Sequence, residues 1–109
     1  MAIRTAAAKL FGDLDYVISP VSPVVKFAAE LASPLNDPDK PFEHIVYTVP
    51  WNMSENPAIS INGGYDKQGF PIGVQIIGRR FDDLGVLGMA KAFESARGAQ
   101  RPWPSPPQK

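Results

Sequence analysis

Proline sets the tightest limit on what this chain can fold into. Twelve of its 109 residues are proline. Each one removes a backbone donor and clashes with the preceding turn of a helix. They fall between residues 20 and 41, singly at 50, 57 and 71, and in the tail from Pro102 to Pro107. Prolines at this density break any long helix, so the middle of the chain is expected to be strands and extended loops.

The remaining composition is that of a globular chain, with 44 % apolar residues. A chain this short buries roughly two-thirds of its unfolded surface, enough for one small domain. Eleven basic residues balance eleven acidic ones. A net charge of zero supplies no long-range field to draw in nucleic acid or an anionic membrane, and neither is expected as a partner. Arg79-Arg80 is the only adjacent basic pair, and Asp82-Asp83 follows almost at once. A phosphate site is conceivable there, and a solvated charged turn is the simpler account.

Cysteine is absent, which excludes disulfides, thiol catalysis and cysteine metal sites. The single histidine, His44, cannot build a multi-histidine metal site, so no metal and no cofactor is expected. No apolar stretch approaches the roughly 20 residues that span a bilayer. Arg4 and Lys9 interrupt the apolar N-terminus, unlike a signal peptide. The expected location is the cytoplasm.

Local patterns give the elements. Residues 2–11 read as a helix from Ile3, Ala7, Leu10 and Phe11. Tyr16 to Ser19 is β-prone and stops at Pro20. Residues 26–32 have room for one or two helical turns, and 33–42 read as loop. A short helix is expected near Phe42 to Tyr47. Val49-Pro50-Trp51-Asn52 reads as extended or turning. Ile59 and Ile61 alternate with Ser60 and Asn62, the period of a strand with one apolar face. Gly63-Gly64 is expected to release that strand, and Asp66 to Gly69 is a turn signal. Ile72 to Ile77 is apolar on both faces except for Gln75, the mark of a central strand, and it should pair with the preceding strand as a long-looped hairpin. The last helix carries Val86, Met89, Ala90 and Phe93 as its apolar stripe, with Leu87 widening it. Asp82 or Asp83 caps its start, and Gly98 is placed to end it in a left-handed conformation. Gly85 and Gly88 share a face, which predicts close approach to a neighbouring element. The chain divides into a segment 1–98 and a loose Pro-rich tail 99–109.

From Val49 onward the order of features is distinctive. It runs Pro50-Trp51-Asn52, Asn56-Pro57-Ala58-Ile59-Ser60-Ile61, Gly64, Gly69-Phe70-Pro71-Ile72-Gly73-Val74-Gln75-Ile76-Ile77-Gly78, then Asp83, Leu87, Ala90 and Phe93-Glu94. This order resembles the C-terminal block of the amidase-signature family, and Asp15 to Pro20 resembles an upstream strand of that family. Two positions depart from its pattern. Glu55 stands where glycine is common, and Asn62 where proline is common. The resemblance implies an α/β fold: a partial mixed sheet, made of a hairpin plus a further strand, with flanking helices, corresponding to the end of the amidase-signature fold. It also implies amide-bond hydrolysis by a Ser–cis-Ser–Lys triad. The triad lies in a Gly- and Ser-rich part with no match here, since this chain has no Ser-Ser pair. No catalytic residue is therefore assigned.

By the same resemblance, Trp51 and Asn52 sit on a turn that approaches the substrate pocket, and Gln75, the polar residue of its strand, reaches the same region. Loop packing is the plainer role for Trp51 and Asn52. Ser60 lacks an adjacent base and reads as a strand serine. Ser54 reads as a loop hydroxyl. Glu43 and His44 could form an acid–base pair, but a solvated or core-edge role explains them. Asp82-Asp83 needs no cation once helix capping is counted, and the PxxP of the tail needs no groove to dock in.

The reading is a C-terminal portion of an amide hydrolase that contributes sheet, helices and part of a pocket. The alternative is a free-standing structural or protein-binding module derived from that fold. The expected partner is a second copy of the chain or the missing N-terminal amidase portion, since one helix does not shield both faces of an apolar strand.

Overall fold

The computed structural model describes residues 2–108. Its elements in chain order are α1 (Ala2–Leu10), β1 (Tyr16–Pro20), a 3-10 turn (Glu43–Ile45), α2 (Val49–Ser54), β2 (Ala58–Tyr65), β3 (Pro71–Gly78) and α3 (Asp83–Ala96). The fold is α/β, with an open three-stranded sheet in the order β1-β3-β2. Both pairings within the chain are antiparallel. The doubly apolar strand β3 is the central one, and it pairs with β2 as a hairpin across residues 66–70.

β3 is central because it is the strand with apolar side chains on both faces. Ile76 and Ile77 point to opposite sides, and both are 0 % exposed. Each contributes about 1.5–3 kcal/mol through burial. On one face Ile76 packs with Ile61 and Ala90, flanked by Ile59, Val74, Met89 and Phe93, so α3 is that face's cover. Gln75 lies on the other face with Ile77. Its amide donates to the Tyr47 carbonyl at 2.9 Å, which draws the segment leading into α2 over that side. α2 in turn packs on α1, where Trp51 meets Phe11 edge-to-face at 6.2 Å. Both faces at the centre of the sheet are thus covered from within the chain.

Several local expectations are corrected. Val49 to Asn52 is helical, not extended. Pro50 occupies the first turn of α2, where its missing N–H would have had no intrahelical partner anyway. β2 does not stop at Gly63-Gly64 but runs to Tyr65 through a bulge between Asn62 and Gly64. The Asn62 side chain accepts from the Gly64 amide at 2.8 Å and holds that bulge. A Cβ on Gly63 would come within 2.3 Å of the Val74 side chain, so close cross-strand approach explains this glycine. Residues 26–32 form no helix and contain one turn, Leu31 N to Ala28 O at 3.1 Å. Residues 42–47 yield only the 3-10 turn.

α3 ends at Ala96 with Arg97 extended, and Gly98 is no left-handed cap. The Arg97 amide still bonds the Phe93 carbonyl at 2.9 Å, while its guanidinium reaches the Asn62 carbonyl on β2. Leu87 is 56 % exposed and does not widen the apolar stripe. The tail meets the hairpin at Arg101, whose amide donates to the Tyr65 hydroxyl and whose guanidinium lies over the Tyr65 ring.

Two side-chain joints fix the corners. Asp82 is the α3 cap, accepting from the Gly85 amide at 3.1 Å. The same carboxylate accepts from the Tyr16 hydroxyl at 3.0 Å and so ties α3 to β1. That bond raises the Tyr16 pKa above its ordinary 10.0, with desolvation and the negative charges of Asp82 and Asp15 adding to it. At the other corner Glu55 closes α2 in the left-handed region, φ 64° and ψ 28°. This conformation accounts for the glycine that resembled sequences carry there. Glu55 is held by Arg4 of α1 and by Arg80 just after β3.

Substitutions at these joints have distinct expected outcomes. A Cβ on Gly85 would sit 2.1 Å from Asp82 Oδ2 and 2.3 Å from the Tyr16 hydroxyl, whereas one on Gly88 meets open space. Gly85→Ala should therefore destabilise by about 1–3 kcal/mol, and Gly88→Ala should stabilise by about 0.5–1 kcal/mol. Denaturant midpoints read both, and equal shifts would contradict the packing. Because the Tyr16 pKa is raised on folding, its contribution is fully present below the unfolded value and fades as pH climbs through the folded one. The advantage of wild type over Tyr16→Phe should hold at neutral pH and shrink as pH rises above about 10. Glu55→Ala and Glu55→Gly both lose the arginine contacts, yet the glycine variant should be about 1 kcal/mol the more stable because only the alanine keeps the left-handed strain. Thermal unfolding of the pair reads that difference directly.

Candidate functional site

The three residues assigned to a pocket fall on the α2 side of the sheet. Trp51 and Asn52 lie within the six-residue helix α2, with Trp51 half-buried and Asn52 exposed. Pro50 can start this helix where it could not continue one, and the packing of Trp51 on Phe11 holds it there. Gln75 is 4 % exposed. Its amide nitrogen donates to Ser19 Oγ at 3.0 Å as well as to the Tyr47 carbonyl. It links β1, β3 and the approach to α2. Among the described residues no hydrogen bond joins it to Trp51 or Asn52.

The C-terminal end of α2 is anchored to β3 by residues that carry no catalytic signal. Ser54 is 0 % exposed, and its hydroxyl contacts the Trp51 carbonyl at 3.2 Å and Asn56 Oδ1 at 2.7 Å. Asn56 Nδ2 donates to the Gly78 carbonyl at 2.9 Å, and the Gly78 amide donates to the Pro57 carbonyl at 3.0 Å. Ser54, expected to be a loop hydroxyl, is therefore a buried anchor of the helix. The Asn56-Pro57 pair was the available signal, because a polar residue before an extended proline must place its side chain locally or across the sheet. The Glu55 clamp had a weaker one, the departure from glycine, since charges 51 and 25 residues apart show no local pattern.

The first turn of α2 and the segment before it frame a concave surface of about 420 Å³ lined by Phe42, Ile45, Val46, Val49 and Pro50, and Trp51, Asn52 and Gln75 are not among its lining residues. Its lining is apolar, so it suits a hydrocarbon group and offers little to orient a charged one. His44 sits in the 3-10 turn of the same segment, edge-to-face with Phe27 at 5.9 Å, and forms no acid–base pair with Glu43, which meets Lys40 instead.

No serine hydroxyl among the described residues is hydrogen-bonded to a lysine amine, an imidazole or a carboxylate. Ser60 is exposed on edge strand β2, and Ser95 bonds its own helix at the Lys91 carbonyl. Among the described residues there is also no cluster of three His, Asp or Glu side chains suited to a metal, and no helix long and apolar enough to cross a membrane.

The same sheet end and covering helices occur in known proteins. A family model described as Amidase matches residues 1–87. A glutamyl-tRNA(Gln) amidotransferase subunit of Myxococcus xanthus is 38 % identical over 92 residues, covering 84 % of this chain and 18 % of that protein. The crystal structure of the corresponding amidotransferase subunit from Thermotoga maritima superposes with a TM-score of 0.71 at 34 % identity, over 85 % of this chain and 20 % of the other. The structure of 6-aminohexanoate cyclic dimer hydrolase superposes with a TM-score of 0.61 at 27 % identity, over 86 % of this chain and 22 % of that one. This chain therefore spans about a fifth of the length of the relatives it matches. With the central strand, its hairpin partner and the start of the covering helix all falling inside the matched stretch, the chain belongs to the amidase family.

Proposed function

We propose that this chain is the C-terminal portion of a cytoplasmic enzyme acting on amide bonds, and that it works only together with a catalytic portion that supplies the nucleophile. The observation that carries this reading is the combination of an intact family sheet end with the absence of a Ser-Ser pair anywhere in the sequence. Two relatives named for different reactions, an amidotransferase and a 6-aminohexanoate cyclic dimer hydrolase, share this portion of the fold. It therefore serves as scaffold and pocket wall, and it does not choose the nucleophile.

In the complete enzyme, Trp51 and Asn52 on α2 border the substrate, and the apolar concavity from Phe42 to Pro50 receives the hydrocarbon part of the amide. Gln75 acts one step back, by holding Tyr47 and hence the segment that leads into α2. The chain's own serines stay inert, since none has a base within reach. One observation favours the other reading, a free-standing module: Ile76 and Ile77 are buried on opposite faces without any second chain.

The purified chain should hydrolyse no simple amide, including glutamine. When it replaces the matching portion of the Thermotoga maritima subunit, the hybrid should hydrolyse amides, and Asn52→Ala in that hybrid should raise KM more than it lowers kcat. Turnover by the isolated chain that disappears with Ser60→Ala would overturn the proposal, and an inactive but folded hybrid would favour the free-standing module.

A further inference from the structure

A second concavity, beside the Glu55 corner, gathers three of the chain's basic residues. It measures about 240 Å³ and is lined by Arg4, Ala8, Phe11, Asn56, Arg79 and Arg80. The chain as a whole is neutral, so this is a local concentration of positive charge. Only two carboxylates meet these three guanidinium groups among the described residues. Glu55 serves both Arg4 and Arg80, and Asp15 lies 3.3 Å from Arg79. One positive charge is left over.

The donor count agrees with the charge count. Arg4 Nε and Arg80 Nε are shut off from water and have no hydrogen-bond partner among the described residues. The two side chains are 39 % and 34 % exposed, so they sit in a half-open cleft where a water or an ion completes their donors. Asn56 Nδ2 donates to the Gly78 carbonyl and its Oδ1 accepts from Ser54, which leaves one amide N–H over. The charged donors of the cleft belong to guanidinium groups that approach from two elements, α1 and the turn after β3. Donors arriving from two directions suit a tetrahedral anion better than a planar one.

We propose that this cleft binds a phosphate group, with Arg4, Arg79 and Arg80 as its ligands and Glu55 as the internal carboxylate that fills part of their charge when the site is empty. The proposal is independent of the amidase reading, because it concerns binding by the chain itself.

The test is a phosphorus NMR titration of the full chain with inorganic phosphate at constant ionic strength, with chloride and acetate as separate competitors. Phosphate should broaden saturably, chloride should not displace it, and acetate should compete poorly. Arg79→Gln, which loses only exposed contacts to Asp15 and to the Leu14 carbonyl, should weaken binding about tenfold. Glu55→Gln should tighten it, because it frees two guanidinium groups. A purely structural cluster would move both variants the same way, and thermal unfolding of each confirms that the fold survives. Absence of saturation, acetate as effective as phosphate, or identical curves for wild type and Arg79→Gln would each overturn the assignment.

Discussion

The fold depends on one strand that must be hidden from both sides. β3 presents Ile76 to one face and Ile77 to the other, and neither reaches solvent. A strand of this kind needs a neighbour on each edge and a layer on each face. β1 and β2 take the edges, α3 takes one face, and the segment leading into α2 is tied to the other by the Gln75–Tyr47 bond. The polar exception in the strand, Gln75, is accommodated because its amide is hydrogen-bonded on both sides, to Ser19 and Tyr47.

Around that strand the chain is held by a few polar joints between parts distant in sequence. Asp82 both starts α3 and receives Tyr16 from β1, so helix and edge strand share one carboxylate. Gly85 makes this possible, since only a hydrogen fits beneath the pair. Glu55 plays the matching part at the end of α2. It accepts the left-handed strain of its position and couples α1 to the turn after β3 through two arginines. Exposed ion pairs are individually weak, so their value here is to set the angle between elements more than to add stability.

The centre of the sheet is covered but the periphery is not. Ile18 on β1 is 59 % exposed, Phe42 70 %, and Leu84 83 %. Apolar groups that large, left outside on several elements, fit a chain that spans about a fifth of its relatives. Scaffold and site are separable in this arrangement. The buried strand fixes where α2 stands, and α2 with the segment before it carries the surface proposed to meet a substrate.

Local chemistry made the main elements legible. Period-two alternation marked β2, the doubly apolar run marked β3 as central, and the Asp82-Asp83 pair marked the start of α3, because each signal lies within a few adjacent residues. The order of motifs from Pro50 to Glu94 likewise carried the family. Where local signals competed, tertiary contacts decided. Pro50 is compatible with an extended turn or with a first helical turn, and packing of Trp51 on Phe11 favours the helix. Gly63-Gly64 could end a strand or permit a bulge, and the Gly64 amide bonded to the Asn62 side chain makes it a bulge. Gly85 and Gly88 look alike in sequence, yet only Gly85 lies under Tyr16. The partners that define Asn56, Glu55 and Gln75 lie 22, 25 and 56 residues away. Their roles emerge only when the chain folds, because a side chain's hydrogen-bond partner is set by proximity in space and not by its neighbours along the chain.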